Sequence, residues 1–573
     1  MKLKIACISE NQKKLDQYRE LQEKLAPELF ELVPRSVATD EIQSVDGNEV
    51  ILAKLAAVRG ITRMPFIVDD VSLQMDGTSY PGALIKHLVK NNTYETLPKF
   101  LPEGTPVRLQ CFIGYFDGFE TFVFKGELSG LVSYIGCDRA CAPGLDTLVR
   151  IDGKLLGNLD REVGHRGRAF AQLAEHIRGV RDEREIHNTM VENRWSGRAE
   201  KWQSVRDDVL SYVNHENGYA RFDAEVKRIL PLVSGSAIDI GCGDGAVTRL
   251  ITESRAVSDI LGMDISPEMI RVAAEKTTEV RVHFESGTFL GEKEKYGLIT
   301  TRGVVLSHMH QSDIVPTLEV MAESLTLNGY LVFDYISNIA NNDNEGRMLK
   351  NQLSREWISR ILSELGLVNI SFNGSESHRV SVLTFHKPME NSLYFATSNA
   401  TKVIELQGKC KNHALHLANI DVSEIKDDDI VEVAKDKAKK SFVVLKHPVL
   451  VTDGGIFINA LNGFPGSNSK QAATLLGPTK LLALLDGELD RTATRRNCMV
   501  YYDGKKYRVC VAEVPLVVSE QVTESRYDAY PMDVLLIPVH KDNPEKLTYK
   551  QMPVEKRVLF TELPFFEKFI GAL

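Results

Sequence analysis

The chain has 573 residues, of which 43% are hydrophobic and 26% charged, and its 69 basic and 78 acidic side chains leave a formal net charge of −9. This balance is typical of globular proteins and excludes long disordered stretches, and the length predicts three or four domains. A mildly acidic chain does not coat nucleic acid by bulk electrostatics.

The amino-terminal segment carries charge throughout, and no apolar run approaches the roughly 18 residues that a membrane helix needs. The eight cysteines are scattered, without a C-x-x-C pair. We therefore expect a reduced, cytoplasmic enzyme without a membrane partner.

The first predicted strand covers residues 3–8 and leads into a polar loop. Ser9 and Asn11 lie in that loop, and Lys14 lies one turn into the helix that follows. Backbone N–H groups at a helix start, together with a nearby cation, favour the binding of a phosphate group. The segment therefore predicts a phosphate-binding loop.

Three carboxylates farther along, Glu41, Asp69 and Asp70, are predicted at strand ends or in loops. Carboxylate oxygens and water are the ligands that suit Mg²⁺. Lys86 and the pair His165-Arg166 add cations that can neutralise phosphate. Metal, carboxylates and cations around a phosphate anhydride predict hydrolysis by assisted attack of water.

A run of charges at residues 181–185 predicts a linker to an insert with a different rhythm. Between residues 186 and 388, apolar strand-like runs alternate with helical stretches, which predicts a parallel α/β sheet. Pro388 marks the far boundary, since proline cannot continue a strand ladder.

The strand at residues 237–240 runs into the glycine-rich turn D-I-G-C-G-D-G. Gly241 and Gly243 let the backbone approach a ligand closely, although such a turn could equally serve tight packing of strand and helix. After the next strand, Asp264 can accept both hydroxyls of a ribose, which favours a site for an adenosine cofactor.

This turn, with M-D-I-S-P-E-M-I and L-T-L-N-G-Y-L-V-F-D, resembles class I S-adenosylmethionine-dependent methyltransferases across nearly all of residues 190–386. The resemblance implies a Rossmann-like domain with a mainly parallel sheet. It implies that the methionine end is lined by Asp239, Gly241 and Gly243, that Asp264 binds ribose, and that adenine contacts Glu285 and Ser286.

The methyl acceptor stays open, because no N-P-P-Y motif and no catalytic cysteine for C5 methylation is present. Residues 302–310 would face the substrate, where His308 or His310 could act as a base or have a structural role. Four aromatic residues before the glycine-rich turn could form a substrate lid or pack in a helical core: Trp195, Trp202, Tyr212 and Tyr219.

The last third of the chain repeats motifs of the first third. S-E-N-Q-K-K is answered by T-S-N-A-T-K, V-D-D-V by V-T-D-G, and Y-P-G-A-L-I-K by F-P-G-S-N-S-K. Cys111 before a D-G pair is answered by Cys498 before another. A nearly constant offset across these motifs predicts two copies of one domain, residues 1–182 and 390–573.

The first copy, with the three motifs above and with P-G-L-D and G-H-R-G-R-A, is similar to the inosine triphosphate pyrophosphatase (ITPase) family. Such enzymes are α/β, usually dimeric, and hydrolyse (d)ITP and XTP to monophosphate and pyrophosphate with Mg²⁺. The resemblance implies phosphate contacts from Ser9, Asn11, Lys14 and Lys86, metal binding and water activation by Glu41 and Asp70 with Asp69 beside them, and base recognition by Asp146, His165 and Arg166. Leu145 stands where the family has an aromatic residue.

In the second copy, the same resemblance implies phosphate contacts from Thr397, Asn399, Lys402 and Lys470, catalysis by Asp453 and metal binding by Glu424. Thr452 replaces Asp69, and Thr561 and Glu562 stand roughly where His-Arg is expected. We predict reduced or altered activity here, with the two copies forming an intramolecular pseudo-dimer. A second active site is the alternative.

The fold class expected is therefore α/β throughout, with two ITPase-like domains flanking a methyltransferase domain. The leading hypothesis is Mg²⁺-dependent hydrolysis of nucleoside triphosphates combined with S-adenosylmethionine-dependent methyl transfer to a small molecule, for instance a nucleotide. One alternative is a methyltransferase for RNA or another macromolecule that uses the repeats as a platform; the net charge of −9 counts against a nucleic-acid partner. Another is a pair of inactive repeats that only sense nucleotides.

Overall fold

The computed structural model describes residues 3–37, 42–62, 64–135, 143–199, 218–337, 351–375, 378–397, 400–423, 425, 427, 429–524 and 530–573. The chain forms three separate sheets, in the N-terminal, middle and C-terminal thirds. Among the described helices, none combines the length and the hydropathy that crossing a bilayer requires.

The N-terminal domain is an eight-stranded sheet with helices on both faces. Its strands are β1 (Leu3–Ile8), β2 (Phe30–Arg35), β3 (Phe66–Met75), β4 (Pro81–Gly82), β5 (Pro106–Phe116), β6 (Thr121–Val132), β7 (Val149–Ile151) and β8 (Lys154–Leu155). Its helices are α1 (Gln12–Leu25), α2 (Gly47–Arg59), α3 (Ile85–Lys90), α4 (Leu145–Leu148) and α5 (His165–Ser196). The strand order is β2-β1-β3-β5-β6-β7-β8, with β4 paired to β3. Strands β2, β1 and β3 are parallel, and the later pairs are antiparallel.

The middle domain has the mainly parallel sheet that its sequence predicts. Its strands are β9 (Gly235–Ile240), β10 (Val257–Asp264), β11 (Val282–Ser286), β12 (Tyr296–Thr301), β13 (Leu325–Ile336), β14 (Val368–Asn373) and β15 (Val380–His386). Its helices are α6 (Gly218–Ile229), α7 (Ala246–Ile251), α8 (Pro267–Glu275), α9 (Val305–His308), α10 (Gln311–Ser324) and α11 (Arg355–Glu364). In the order β11-β10-β9-β12-β13-β15-β14, only β15 runs against its neighbours. The order reverses between β9 and β12, which is where ligands bind in open α/β sheets.

The C-terminal domain repeats the N-terminal topology. Its strands are β16 (Ser392–Ala396), β17 (Ala414–Ala418), β18 (Val449–Ile458), β19 (Pro465–Gly466), β20 (Thr492–Tyr502), β21 (Tyr507–Val518) and β22 (Leu536–Pro538). Its helices are α12 (Ala400–Gln407), α13 (Ile430–Leu445), α14 (Ser469–Leu475), α15 (Gly477–Ala483), α16 (Val554–Arg557) and α17 (Leu563–Gly571). The order β17-β16-β18-β20-β21-β22 matches the first copy strand for strand as far as β7.

Strand register corrects one match between the copies. Phe112 lies opposite Asp70 in the N-terminal sheet, whereas Cys498 lies opposite Asp453 in the C-terminal sheet. The two aspartates are equivalent, so Cys498 occupies the position of Phe112. Cys111, to which the sequence matched it, is one residue out of register.

The charge run at residues 181–185 is not a linker, because it lies inside the 32-residue helix α5. Arginine and glutamate have high helix propensity, and a charged stretch is compatible with a solvated helix face as well as with a loop. One continuous helix therefore leads from the N-terminal domain into the middle domain.

The N-terminal domain contacts the middle domain near α11. The indole Nε1 of Trp357 donates a hydrogen bond to the backbone oxygen of Gly118 over 3.0 Å, and the rings of Trp357 and Phe119 lie 4.4 Å apart. Thr62 Oγ1 donates to the carboxylate of Glu364 over 2.5 Å. These contacts place the first copy on the α11 side of the middle sheet.

The C-terminal domain packs on the other face of the middle sheet, where Val332 and Val382 share a buried cluster with Ala418 and Val449. Among the described residues, no buried cluster contains side chains of both outer domains. The predicted pseudo-dimer of the two copies therefore stays a prediction. In the described residues, each copy packs against the middle domain.

Two buried histidines lie at the interface of the middle and C-terminal domains. The rings of His386 and His416 are 4.0 Å apart. His386 Nδ1 lies 2.8 Å from Tyr394 Oη, and His416 lies 3.4 Å from Tyr330 Oη and 3.2 Å from Ser392 Oγ. Burial, reinforced by the neighbouring histidines, lowers the pKa of His386 and lowers the pKa of His416 to about 4. Both rings are therefore neutral in the folded protein.

This pair makes acid conditions destabilising. Below a pH of about 6.5, these histidines become protonated in the unfolded chain but stay neutral in the folded interface, so the free energy of unfolding falls as the pH drops from 6.5 towards 4. At pH 5, the pKa difference of His416 alone lowers the free energy of unfolding by about 2 kcal/mol. We expect the thermal unfolding midpoint of the His416→Asn variant to fall less steeply with acidification than that of the wild type. The exposed His283 gives the control His283→Asn, and identical profiles for all three proteins would contradict the prediction.

Candidate active sites

Asp69 and Asp70 lie within strand β3 rather than at a strand end, which corrects the sequence expectation. Neighbouring residues of a strand point to opposite faces. Asp69 contacts Lys14 of α1 and Arg166 of α5, whereas Asp70 contacts Lys54 of α2. The two adjacent carboxylates therefore serve different partners.

Asp69 holds two cations together. Its Oδ1 lies 2.9 Å from Lys14 Nζ, and its Oδ2 lies 3.3 Å from an amino group of Arg166. Burial opposes ionisation of Asp69, but Lys14 and Arg166 outweigh it and hold the pKa of this carboxyl well below its usual range. Asp69 is thus a permanent anion with both oxygens engaged by protein.

Asp70 is paired on one oxygen only. Lys54 Nζ lies 2.9 Å from Asp70 Oδ1 and donates a second hydrogen bond to the backbone oxygen of Asp69 over 3.3 Å. Asp70 Oδ2 is buried and has no hydrogen-bond partner among the described residues. Burial raises the pKa of Asp70 despite the attraction of Lys54. This is a carboxylate with one oxygen free for a ligand or a proton.

Sequence reasoning missed Lys54. A signal was present, because Lys54 lies eight residues after Asp46, the N-cap of α2, and Lys437 lies eight residues after Asp429, the N-cap of α13. A lysine at one position in both copies could have been found by aligning their helices through the caps.

The free oxygen of Asp70 fits a hard cation such as Mg²⁺, whereas the oxygens of Asp69 are taken by Lys14 and Arg166. Metal binding by Asp69 stays a prediction. Glu41, the other expected ligand, lies outside the described residues. Within the described part of the chain, no group of three or more histidine, cysteine or acidic side chains is arranged to hold a metal.

The predicted phosphate loop is shaped by its own side chains. Ser9 Oγ accepts a hydrogen bond from the backbone N–H of Asn11 over 3.1 Å, and the side chain of Asn11 caps α1 by accepting from the backbone N–H of Lys14 over 3.4 Å. Asn11 is exposed, as is Lys86 in α3. Ser9 and Asn11 therefore set the loop conformation that presents Lys14.

Two of the three residues expected to recognise the base, His165 and Arg166, lie in the first turn of α5. Arg166 bonds Gln17 as well as Asp69. His165 is buried, and burial together with the charge of Arg166 lowers its pKa to about 3, so its ring is neutral. Asp146 is exposed at the start of α4 and makes no hydrogen bond or ion pair with these residues as far as the structure describes them.

The C-terminal copy lacks two charges of the first, those of Asp69 and Arg166. Thr452 occupies the position of Asp69, and Asp453 accepts a hydrogen bond from the backbone N–H of Gly454 over 2.6 Å. Helix α17 begins with Leu563 and Pro564, where α5 begins with histidine and arginine. When the starts of the two helices are aligned, Leu563 and Pro564 are the equivalents of the His-Arg pair, two residues after the expected Thr561 and Glu562. Neither of them is an arginine.

A different ion pair is buried in this copy. Arg495 is bonded to Asp533 and lies with its guanidinium 4.3 Å from the centre of the Tyr549 ring. Asp533 is buried, whereas its equivalent Asp146 is exposed. Two large side chains therefore replace an open polar position of the first copy.

The other residues expected in this copy are less informative. Thr397 follows β16 and donates its backbone N–H to Ala418 over 3.0 Å, and Lys470 is exposed in α14. Asn399 and Glu424 lie outside the described residues, as does the side chain of Lys402.

The middle domain contains a cavity of about 500 Å³ at the carboxyl ends of β9, β10 and β12. Gly241 and Gly243 line it with φ angles of +70° and +54°. A Cβ on Gly241 would lie 2.4 Å from Val305, whereas a Cβ on Gly243 would enter open space. The first glycine is needed for packing and backbone conformation, and the second leaves a cradle for a ligand.

Two buried carboxylates support this loop. Asp264 accepts the backbone N–H groups of Gly243 and Ser266, each over 2.9 Å, and burial raises its pKa. Asp239 accepts the hydroxyls of Thr248 and Thr300 over 2.7 and 2.9 Å, and burial raises its pKa to about 6. Both carboxylates also line the cavity.

The adenine contacts expected from Glu285 and Ser286 stay a prediction. Glu285 and Ser286 end β11 and are exposed, and the described cavity wall does not include them. The wall is formed instead by the four residues that follow, 287–290. Ser286 still pairs with Asp264 of β10, so the cavity-lining residues begin directly after the strand.

Asp334, the last residue of L-T-L-N-G-Y-L-V-F-D, positions the loop after β12. It accepts the backbone N–H groups of Gly303 and Val304 over 3.0 and 2.7 Å. This loop brings Arg302 and His308 to the cavity. Sequence reasoning quoted the motif but assigned no role to its aspartate.

The two candidate bases differ in position. His308 lines the cavity, and its backbone oxygen accepts a hydrogen bond from His187 Nε2 over 2.8 Å. His310 caps α10 by accepting the backbone N–H of Ser312 over 3.3 Å, which is a structural role. Trp195 and Tyr219 line the cavity, whereas Trp202 and Tyr212 lie outside the described residues. The open glycine cradle and the Asp264 carboxylate fit S-adenosylmethionine, and the volume is ordinary for a small-molecule site.

Comparison with known proteins agrees with this geometry. The Ham1 family matches residues 5–176 and again 393–558, and a methyltransferase domain matches residues 233–379. A dITP/XTP pyrophosphatase of Saccharolobus solfataricus is 29% identical over 163 residues, which are 28% of this chain and 82% of that protein.

Two solved structures are similar to parts of the chain. A HAM1 protein from Coxiella burnetii is 16% identical with a TM-score of 0.28, and the match covers 32% of this chain and 96% of that one. An S-adenosylmethionine-dependent methyltransferase from Mesorhizobium loti is 15% identical with a TM-score of 0.26, and the match covers 28% of this chain and 96% of that one.

The expectation of two ITPase-like copies around a methyltransferase domain is thereby confirmed. Because the two Ham1 matches together span more than half of the chain, the protein belongs to the Ham1 family, with a methyltransferase domain between its two Ham1 domains.

Proposed function

We propose that the N-terminal domain hydrolyses nucleoside triphosphates, with a preference for non-standard purines, to a monophosphate and pyrophosphate. The observation that carries this proposal is the buried, unpartnered Oδ2 of Asp70 beside Lys54, with Lys14 and Arg166 held by Asp69 in the same domain. The dITP/XTP pyrophosphatase of Saccharolobus solfataricus supports the substrate class.

In this mechanism, Asp70 orients a water molecule and accepts its proton while the water oxygen attacks the α-phosphorus. The bond from that phosphorus to the bridging oxygen breaks, and its electron pair leaves with pyrophosphate. Lys14 and Lys54 stabilise the negative charge. Bound Mg²⁺, with Asp70 and Glu41 as the proposed ligands, would supply further charge neutralisation to the triphosphate.

The C-terminal copy would have reduced or altered activity. It has threonine in place of Asp69, no arginine at the start of α17, and the ion pair of Arg495 and Asp533 at an otherwise open position. Asp453 is retained, so the alternative to be tested is that the C-terminal copy is a second active site.

The middle domain would transfer a methyl group from S-adenosylmethionine to a small molecule. Gly241, Gly243 and Asp264 would hold the donor, and His308 is a cavity-lining group able to take a proton. When bound, S-adenosylmethionine supplies a methyl group on a positively charged sulfur, an electrophile for an acceptor nitrogen or oxygen.

Asp70→Asn removes the proposed base, so kcat/KM for ITP or XTP hydrolysis should fall about 10²- to 10⁴-fold. Pyrophosphate release with Mg²⁺ is the measurement, made over a panel of NTPs and dNTPs. Asp453→Asn is the matched variant in the other copy. Equal losses from the two single changes would contradict a division into a working and a supporting copy, and no release by the wild type would overturn the hydrolase proposal.

Lys54→Met should also abolish pyrophosphate release, by at least about 10²-fold, because it leaves Asp70 without its cation and further raises the pKa of that carboxyl. The exposed Lys13 gives the control Lys13→Met. Binding of S-adenosylmethionine by the Lys54→Met variant would show that the variant is folded. Wild-type hydrolysis by Lys54→Met would show that Asp70 acts without this lysine.

Asp264→Ala should weaken S-adenosylmethionine binding about 10- to 100-fold, because charge-assisted hydrogen bonds to ribose are lost, and leave pyrophosphate release intact. Isothermal titration with the donor is the measurement. Asp259→Ala, a change at a half-exposed position of the same strand, is the control. Parallel loss of both activities in Asp264→Ala would show that the sites do not work separately.

A further inference from the structure

Helix α5 belongs to two domains. Its first turns pack into the N-terminal core through Phe170, Leu173 and Ile177. Its later turns contact the middle domain, where Arg184 pairs with Asp313 over 3.2 Å and Ser196 Oγ lies 3.0 Å from Ser266 Oγ. The N-terminal domain thus supplies a structural element to the methyltransferase domain.

One face of this helix lines the methyl-transfer cavity. The lining residues of its later turns are Arg181, Arg184, Asn188, Val191 and Trp195. They recur every three or four positions, which places them on a single stripe of the helix. An amphipathic stripe ordinarily packs against a protein core, whereas this one borders an open volume. Helix α5 therefore contributes a wall of the cavity.

The chemistry of this wall suits a nucleotide. Arg184 uses only its Nη1 group toward Asp313 among the described residues, which leaves the other N–H groups of its guanidinium available to an anion. Trp195 has an aromatic ring of the kind on which bases stack; the ring centre lies 5.8 Å from that of His308, and the guanidinium of Arg198 lies 5.6 Å from it. Asn188, between the two, can both donate and accept hydrogen bonds.

The spacing of these residues is compatible with such a ligand. The distance along the helix axis from Arg184 to Trp195 is about 16 Å. This length accommodates an extended nucleotide together with the two side chains that would hold its ends. Arg302, which pairs with Asp223 over 2.8 Å and lies over the ring of Tyr219 at 4.7 Å, adds a second cation to the cavity lining. His308 lies beside Trp195 and is placed to receive a proton.

We propose that the α5 stripe is the acceptor-binding wall of the methyltransferase site and that the acceptor is a nucleoside monophosphate. This inference rests on the proposed methyl transfer. The lone pair of an acceptor nitrogen or oxygen forms the new bond to the methyl carbon, the carbon–sulfur bond breaks with its electron pair left on sulfur, and the acceptor proton passes to His308 or to water. The acceptor class is also the product class of the proposed hydrolysis, so a triphosphate-cleaving reaction would supply it.

The test uses the full chain saturated with S-adenosylhomocysteine and titrates it with inosine, xanthosine, guanosine and adenosine monophosphates. Trp195→Ala and Arg184→Gln should weaken binding of at least one of these nucleotides tenfold or more. Arg184→Gln should leave binding of the matching phosphate-free nucleoside unchanged. Arg178→Ala, on an exposed face of the same helix, should behave as the wild type. A nucleotide held in the N-terminal domain contributes equally to all four proteins and cancels in the comparison.

Formation of S-adenosylhomocysteine from the donor and the same nucleotides gives the second readout, with a raised KM for the acceptor in both variants. Equal nucleotide binding in Trp195→Ala and wild type would overturn the proposal, as would weaker S-adenosylhomocysteine binding in Trp195→Ala, which would place that ring over the donor. No monophosphate binding by a wild type that binds S-adenosylhomocysteine would overturn the acceptor class alone. A wild type that binds no S-adenosylhomocysteine would overturn the proposed methyl transfer, and with it this inference. Pyrophosphate release by each variant shows that the chain is folded.

Discussion

The continuity of helix α5 across a domain boundary constrains the rest of the structure. Its first turn holds His165 and Arg166 in the N-terminal site, and its last turns border the cavity of the middle domain. A helix is stiff over this length because each backbone N–H is bonded within it. The two sites therefore have a fixed relation, about 27 Å of helix axis from Arg166 to Arg184 and about 33 Å to Asn188, that a flexible linker could not impose.

Strand alternation divides the work of two adjacent aspartates in the N-terminal site. Asp69 faces α1 and α5, where it spends both oxygens on holding Lys14 and Arg166. Asp70 faces α2, where Lys54 takes one oxygen and leaves the other without a partner. A buried carboxylate with an unused oxygen is costly unless a ligand or a proton completes it, which is why this atom and not its neighbour indicates chemistry.

The two Ham1 domains show how a duplicated fold can keep its packing and change its charges. Their strands run in the same order, and Asp46 and Asp429 cap equivalent helices. The polar positions differ, because Thr452 has no charge to hold a cation and Arg495 is committed to Asp533. Backbone topology depends on apolar cores that many sequences satisfy, whereas a catalytic charge set is lost with one or two substitutions.

The sequence by itself determined the three-domain organisation, the duplication and the α/β class, because strand and helix periodicity and the motifs at strand ends are local properties of the chain. It also singled out some of the residues that the structure brings together at the candidate sites, among them Lys14, Asp70, Gly243 and Asp264. It misread residues 181–185 as a linker, since a charged run has the same composition in a loop and on a solvated helix.

Only the tertiary structure decided how these residues share partners. It separated the partners of Asp69 and Asp70, added Lys54 and Asp334, placed the residues after β11 rather than Glu285 in the cavity wall, and brought α5 against a cavity of another domain. These facts depend on which surfaces meet across long sequence separations. A local sequence pattern cannot predict these contacts, because they follow from the packing of whole domains.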